Sequence, residues 1–486
     1  MKVLFFYPND YLNIGIPQGI AILSAILKKE GHQVELFDTT FVKTKALEEK
    51  HGNSGIQIFK KTTYTLEDLV GNDPILNMVE TFQQKIDHVQ PDLIAVSTMS
   101  TNFDYAMSII NKIKRKCPFI VGGVHATICP EDVIRKKNVD MICVGEGEAS
   151  IAELCKAIEQ HRDYSNVKNL WIKQKNGTII KNELRAFADL NSLPCPDWSL
   201  FDPRHLFRPY LGEIYNGSFY ISSRGCPCKC TYCLNESMQG IFKNCGTYFR
   251  TQTPEKTYAD LNELKTRFNA TWFKFGDDTF LLQSLRNLEK LCEMIKPLNI
   301  KFGCSIRPDT ITEEKVRLVK EMGCVAMSVG IETGNENIRR KILNRQISND
   351  QLEQAFSIIN AYGIRISSFN LIGLPGETRE NVFETIELNR MLNVKSANAY
   401  ILYPFPQTQI SRTSKVNCFC RNGNLIPMNK ASLFHLSSMS SKEVDGLLKT
   451  FNLYLNLPKE LWPIIKLAEK DGKQSQIIFD ALCKLV

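Results

Sequence analysis

The sequence predicts an α/β protein in four parts. A doubly wound parallel sheet is expected over residues 1–161, a connector over 162–217, a partial (β/α)6 barrel over 218–410 and a mostly helical region over 411–486. Three observations carry this. At 486 residues the chain exceeds one ordinary domain. Short apolar runs alternate with amphipathic stretches through the first 160 residues. The same alternation lapses and then restarts at about residue 218.

Val3–Tyr7 is an apolar run ending at Pro8-Asn9, and Gln18–Lys29 carries helical spacing closed by Gly31. Val34–Phe37, Leu93–Ser97, Phe119–Gly122 and Met141–Gly145 read as further strands, with helices near 104–116, 130–137 and 148–161. Ligands of such sheets bind beyond the carboxyl ends of the strands. Those ends carry Asn9 and Asp10, Ser97 and Thr98, Gly122, Gly123 and His125, and Gly145, Glu146 and Gly147.

Residues 162–217 lose this rhythm, and 189–203, DLNSLPCPDWSLFDP, reads as a surface connector. Strands are then expected at 218–223, 271–276, 301–307, 325–332, 364–373 and 396–405. Helices are expected near 254–268, 282–296, 312–321, 335–342, 348–361 and 377–392, with Ser348 and Gln351 as a capping box. The helical pattern after 410 is a candidate to close the barrel mouth.

A hydrophobic share of 43% and a charged share of 23% are those of a water-soluble globular chain. No apolar run reaches the roughly 18 residues of a membrane helix. The opening MKVLFFY reads as a buried strand rather than a signal peptide. Most of the sixteen cysteines stand singly at apolar positions such as Cys143, Cys292 and Cys324, which points to free thiols in a reducing cytoplasm. The net charge of +8 includes Lys/Arg clusters at 112–116 and 339–345, read as solvated helix faces. Neither is interleaved with aromatics, which argues against a nucleic-acid partner.

The chemistry concentrates in 220–234, YISSRGCPCKCTYCL. Three thiolates from one loop can each hold one iron of a cubane cluster and leave the fourth iron open. Cys228 lies inside the run, so two frames are possible. At this level a zinc site using these cysteines with Cys245, or idle thiols, stays open.

Cys226-x3-Cys230-x2-Cys233, with Tyr232 before the last cysteine, resembles the radical S-adenosylmethionine superfamily. The resemblance implies a 4Fe-4S cluster on Cys226, Cys230 and Cys233, whose open iron chelates S-adenosylmethionine for cleavage to a 5′-deoxyadenosyl radical. Cys228 departs from the usual pattern and takes no ligand role. Later segments follow the family's order at successive strand ends. Gly276, Asp277 and Asp278 stand where an acidic stretch meets the ammonium, and Ser305 and Arg307 where an arginine pairs a carboxylate. Glu332 resembles the residue that holds a ribose hydroxyl, and Asn370 opens the segment that lines the adenine. Relatives often show glycine where this chain has Gln407, to which no role is given.

A flavodoxin-like domain ahead of such a barrel resembles the cobalamin-dependent branch of that superfamily. The segments GIPQGIAILSAILKKEGHQVELFD, VGGVHATICPEDV and ICVGEGE are similar to it in order and spacing. The strand-end residues named above then become candidate cobalamin contacts. Many cobalamin domains supply a histidine to cobalt from Asp-x-His-x-x-Gly. Residues 10–15 read Asp-Tyr-Leu-Asn-Ile-Gly, and Asn13 is taken for the histidine's place, so no imidazole is expected from that loop. His125 could touch the corrin or instead cap a loop. Glu146 and Glu148 read more readily as loop and helix-start residues than as metal ligands.

The branch implies methyl transfer to an unactivated carbon, one S-adenosylmethionine supplying the methyl group and a second the radical. Cyclisation, ring rearrangement or oxidation without methyl transfer is the alternative, and a zinc-stabilised ligand sensor is the non-catalytic one. An electron donor such as flavodoxin or ferredoxin is implied. The residues name no substrate among small molecules, lipids and peptides.

Overall fold

The computed structural model describes residues 1–42, 70–71, 77–210, 213–394, 396–413, 420–421, 424–425 and 438–486. These form two compact units: residues up to 224 with 238–273, and residues 225–237 with 274 onward.

The first unit holds a seven-stranded sheet whose first five strands lie in the order β2-β1-β3-β4-β5. Strands β1 (Lys2–Tyr7), β2 (Gln33–Asp38), β3 (Leu93–Ser97), β4 (Phe119–Gly122) and β5 (Met141–Cys143) are parallel. The order 2-1-3-4-5 is that of flavodoxin-like folds, as the sequence predicts. Their continuous apolar runs place Leu4, Phe6, Ile94, Val96, Phe119 and Val121 in one core. Helix α1 (Gln18–Lys29) matches its predicted bounds and stops at Gly31, whose φ of 85° ends it without a Cβ penalty. Helix α2 (Met78–Val89) buries Phe82 against Phe6 and Phe37.

Three expectations are corrected here. The helix expected over 104–116 is α3, Phe103–Ile110. Past it the Gln83 side chain takes the backbone of Lys114, and Arg115 turns to Asp140. The helix near 130–137 is the shorter α5 (Pro130–Ile134), preceded by α4 (Val124–Ile128). Pro130 lacks the N–H that would join them. The stretch 162–217 is no plain connector. β6 (Leu170–Lys173) and β7 (Ile179–Lys181) extend the sheet antiparallel. Within 189–203, Trp198 is buried and Asp197 accepts from Ser24 at 2.6 Å and Lys28 at 2.7 Å. Helix α6 (Glu148–Glu159), the hairpin β8 (Phe207–Tyr210) and β9 (Glu213–Tyr220), the pair β10 (Ser223–Arg224) and β11 (Arg250–Thr251), helix α7 (Leu234–Ile241) and helix α8 (Pro254–Phe268) follow.

In the second unit the order is β16-β15-β14-β13-β12. Here β12 is Trp272–Phe275, β13 Lys301–Ile306, β14 Cys324–Glu332, β15 Arg365–Ile372 and β16 Ser396–Ile401. β13 to β16 are parallel neighbours. Helices α9 (Leu285–Ile295), α10 (Glu313–Glu321), α11 (Asn349–Ala361) and α12 (Arg379–Met391) alternate with them, giving the partial barrel. The predicted Ser348–Gln351 capping box is formed in both directions. The helix expected over 335–342 forms, its later part as a π turn, Ile338–Ile342. Of the C-terminal region, 414–419, 422–423 and 426–437 lie outside the described residues. The described remainder includes α14 (Ser441–Asn456), α15 (Trp462–Ala468) and α16 (Lys473–Cys483), after the short α13 (Gln409–Thr413). It packs against α12: Arg379 pairs Glu443 and Glu469, and Arg390 caps the carbonyls of Tyr454, Leu455 and Leu457.

Candidate active site

The cysteine loop opens at Gly225, whose φ of 81° suits only glycine readily, and runs into α7. It is tied to the end of the π turn. Thr231 donates from N to Leu343 O (3.2 Å) and from Oγ1 to Ile342 O (2.6 Å), and Asn344 Nδ2 reaches Lys229 O (2.8 Å). Cys226 and Cys230 are buried and Cys233 half-buried. Arg307 Nη1 donates to Cys230 Sγ at 3.2 Å, and Asn235 Nδ2 lies 3.7 Å from Cys233 Sγ. N–H donors aimed at sulfur suit thiolates bound to a cluster. Burial pushes the Cys233 thiol up to about 11, so iron would displace its proton. Cys226 hydrogen-bonds Cys228, which pulls the Cys228 thiol below its ordinary range with help from Arg307. Three thiols on one loop, two of them with N–H donors at sulfur, suit a cubane cluster.

The predicted S-adenosylmethionine residues divide. Tyr232 and Glu332 come together on Arg345, whose Nη1 lies 3.2 Å from Tyr232 Oη and 3.4 Å from Glu332 Oε1, with Nη2 on Gly330 O at 2.7 Å. Glu332 holds φ at +67°, and its carboxylate lies where a Cβ on Gly330 would stand 2.6 Å away. Arg345 keeps its buried Nε without a partner among the described residues. Reading the 339–345 cluster as a solvated face is therefore corrected. Arg345 is 4% exposed, and the fully buried Arg339 donates to Thr333 O, Ile347 O and Asn349 Oδ1. The signal missed was the interruption of helical spacing by Leu343-Asn344, where Asn344 takes φ +52°.

Asp278 accepts from Asn235 at 2.9 Å, so Asn235 spans it and Cys233. Asp277 is buried, and Gly276 adds no side chain. Ser305 is half-buried, in register with Ser328. Arg307 grips Asp309 with two bonds (3.0 and 2.7 Å) besides Cys230. Asn370 does not join them. It alternates with Ser367, Phe369 and Leu371 onto the helix-packed face of β15, where it donates to Ser368 Oγ and accepts from Asn389. Gln407 takes φ +67°.

At the strand ends of the first unit, buried Asn9 bonds Thr39, Thr40 and Asn13. Asp10 and Asn13 are exposed. Counting from Asp10, the histidine place of Asp-x-His-x-x-Gly is Leu12, one residue before Asn13; no imidazole stands at either. His205, missed in the sequence, sits behind the loop. Gly15 N donates to its Nδ1 (3.1 Å), and its Nε2 reaches Asp38 at 2.6 Å. His125 is buried, bonded to Ser100 Oγ at 3.0 Å and packed on Phe103; burial lowers its pKa to about 4. Gly122 ends β4. Gly123, at φ +92°, lies so close to Ser97 and Thr98 that a Cβ would meet Thr98 O at 2.6 Å. Gly145, at φ +89°, is bonded to Thr127 Oγ1, and Gly147 caps α6. Glu146 accepts from Arg224, Arg250 and Ala188 N, and Glu148 from Arg224, in line with a loop and helix-start role. Thr98 Oγ1 is a buried hydroxyl without a partner among the described residues. An orphaned hydroxyl among close-packed glycines at the strand ends fits a large ligand held there by backbone and shape.

Residues 220–388 match the profile of the radical SAM superfamily, and residues 9–155 that of the B12 binding domain. The chain is a radical SAM enzyme with a B12-binding domain. The cofactors of this radical SAM enzyme are a 4Fe-4S cluster, S-adenosylmethionine and cobalamin. It is similar to an uncharacterized methyltransferase of Pyrococcus horikoshii, at 27% identity over 84% of this chain and 82% of the relative. It is also similar to the anaerobic magnesium-protoporphyrin IX monomethyl ester cyclase of Rubrivivax gelatinosus, at 24% over 84% and 68%. Among solved structures, the radical S-adenosylmethionine methyltransferase TsrM of Kitasatospora setae, with cobalamin and a [4Fe-4S] cluster bound, shares the fold with a TM-score of 0.62. The identity is 18%, over 86% of this chain and 75% of that one.

Proposed function

We propose that the protein transfers a methyl group to an unactivated carbon of its substrate. The joint presence of the two cofactor domains in one chain carries this reading. When bound, the cluster supplies the electron that cleaves S-adenosylmethionine to a 5′-deoxyadenosyl radical, and cobalamin supplies a carrier for the methyl group. Cys226, Cys230 and Cys233 would hold the cluster, with Arg307 and Asn235 directing N–H groups at the Sγ atoms of Cys230 and Cys233. Glu332, Tyr232 and Arg345 orient the nucleoside and methionine parts around Gly330, and Asp278 takes the ammonium. Gly122, Gly123, Gly145, Gly147, Ser97 and Thr98 let cobalamin approach the strand ends, while Asn9, His125 and Glu146 fix the loops around it. His205, behind the loop that carries Leu12, positions backbone and supplies no ligand.

Anaerobically reconstituted protein given its substrate should release 5′-deoxyadenosine and S-adenosylhomocysteine in step; 5′-deoxyadenosine alone would overturn methyl transfer. Similarity to the cyclase favours a second reading, ring closure without methyl transfer, which predicts that latter outcome. An electron donor of the flavodoxin or ferredoxin kind is the expected partner. No helix of the described residues is long and apolar enough to cross a membrane, and the described cysteines are free. Both features are consistent with work in a reducing cytoplasm.

A further inference from the structure

The strands of the second unit turn one face to the barrel interior. Along β14 the half-buried Ala326, Ser328 and Gly330 alternate with buried Met327, Val329 and Ile331, and β15 places Ser367, Phe369 and Leu371 alike. Lys274 of β12 joins this face. Its Nζ donates to Ser328 Oγ at 3.4 Å, and the Ser328 and Ser367 hydroxyls stand 3.0 Å apart. The lysine stem runs beside Gly303, where a Cβ would lie in ordinary contact with Lys274 Cδ at 3.7 Å. Among the described residues the ammonium makes this one long hydrogen bond and no ion pair. Burial lowers its pKa, the mark of a cation short of solvation. An ammonium has three donors, so two directions remain. Farther along the same face, Phe369 and Tyr400 stand with ring centroids 6.3 Å apart, and Tyr400 is 43% exposed.

We propose that Lys274, Ser328 and Ser367 form a subsite for an anionic oxygen group on the substrate, a carboxylate or a phosphoryl, with Phe369 and Tyr400 lying along its apolar part. Lys274 supplies the charge, and the hydroxyls supply directed hydrogen bonds. Naming the occupant as substrate rests on the radical-enzyme reading above; the anion site itself does not.

The test is the acetylation rate of Lys274 in cluster-loaded protein, read by peptide mapping with inorganic phosphate, propionate or propionamide present. One or both anions should slow acetylation saturably by about tenfold or more. Phosphate would mark a phosphoryl site, propionate a carboxylate site, and propionamide should not protect. Ser328→Ala with Ser367→Ala should weaken the protection. Equal protection by propionamide, protection by neither anion, or protection by S-adenosylmethionine alone would overturn the subsite. Anion protection in protein that forms no 5′-deoxyadenosine would overturn the radical reading and leave the subsite standing.

Discussion

At the strand ends of the first unit, Asn9, His125 and Glu146 give their hydrogen-bonding atoms to Thr39 and Asn13, to Ser100, and to two arginines. Beside the cysteines of the second unit the polar groups turn to the thiols and to one another. Arg307 and Asn235 reach sulfur, and Arg345 holds Glu332 and Tyr232 with Nε in reserve. A bulky cofactor can be held by close backbone and buried shape, with side chains spent on fixing loops. A cluster with a small polar ligand needs directed donors. The two regions should therefore fail differently when altered.

The largest effect is expected from Cys226→Ala, Cys230→Ala or Cys233→Ala. Each should abolish cluster iron by absorbance and iron assay, and 5′-deoxyadenosine with it, while cobalamin retention persists. Loss of cobalamin in these variants would break the contrast. Next, Arg345→Met leaves the Glu332 carboxylate buried and unpaired, a change that typically costs about 3–5 kcal/mol. Urea unfolding of the cluster-free protein measures it.

In the first unit Gly123→Ala should cost about 1–3 kcal/mol of backbone strain, with added overlap against Thr98. Because that region works by close approach, bound cobalamin absorbance should fall while the iron content of the cluster stays. His125 has a smaller effect, confined to a pH window. Its pKa is lowered from 6.5 to about 4, so the unfolded chain binds more protons between those values. Its contribution is whole above pH 6.5 and is lost as pH falls toward 4, by at most about 3 kcal/mol. His125→Gln should flatten the difference between urea melts at pH 7 and pH 4.5. Smallest of all, Cys228→Ala should leave cluster iron unchanged; loss of iron would move the ligand frame.

Much of this architecture was legible because it is local. Alternating apolar runs gave β1 to β5 and most barrel strands, and Ser348 with Gln351 marked a helix start that forms as read. The glycines of β4 and β5 were visible as strand-end glycines, though the sequence did not tell that Gly123 avoids Thr98. What failed was non-local. Asp197 and Trp198 looked like surface connector because their partners lie far along the chain.

The order of strands and helices and the grouping of Cys226, Cys230 and Cys233 follow from local pattern alone, since periodicity and covalent spacing act over a few residues. Which face each residue takes depends on how the strands pair in the folded protein. Asn370 turns to the helix layer while Glu332 turns over Gly330, because the β14–β15 register shifts between Gly330 and Glu332. A shift of one residue exchanges faces. Arg345 was likewise settled by the π turn that swings it inward, and His205 by packing against a loop 190 residues away in the chain.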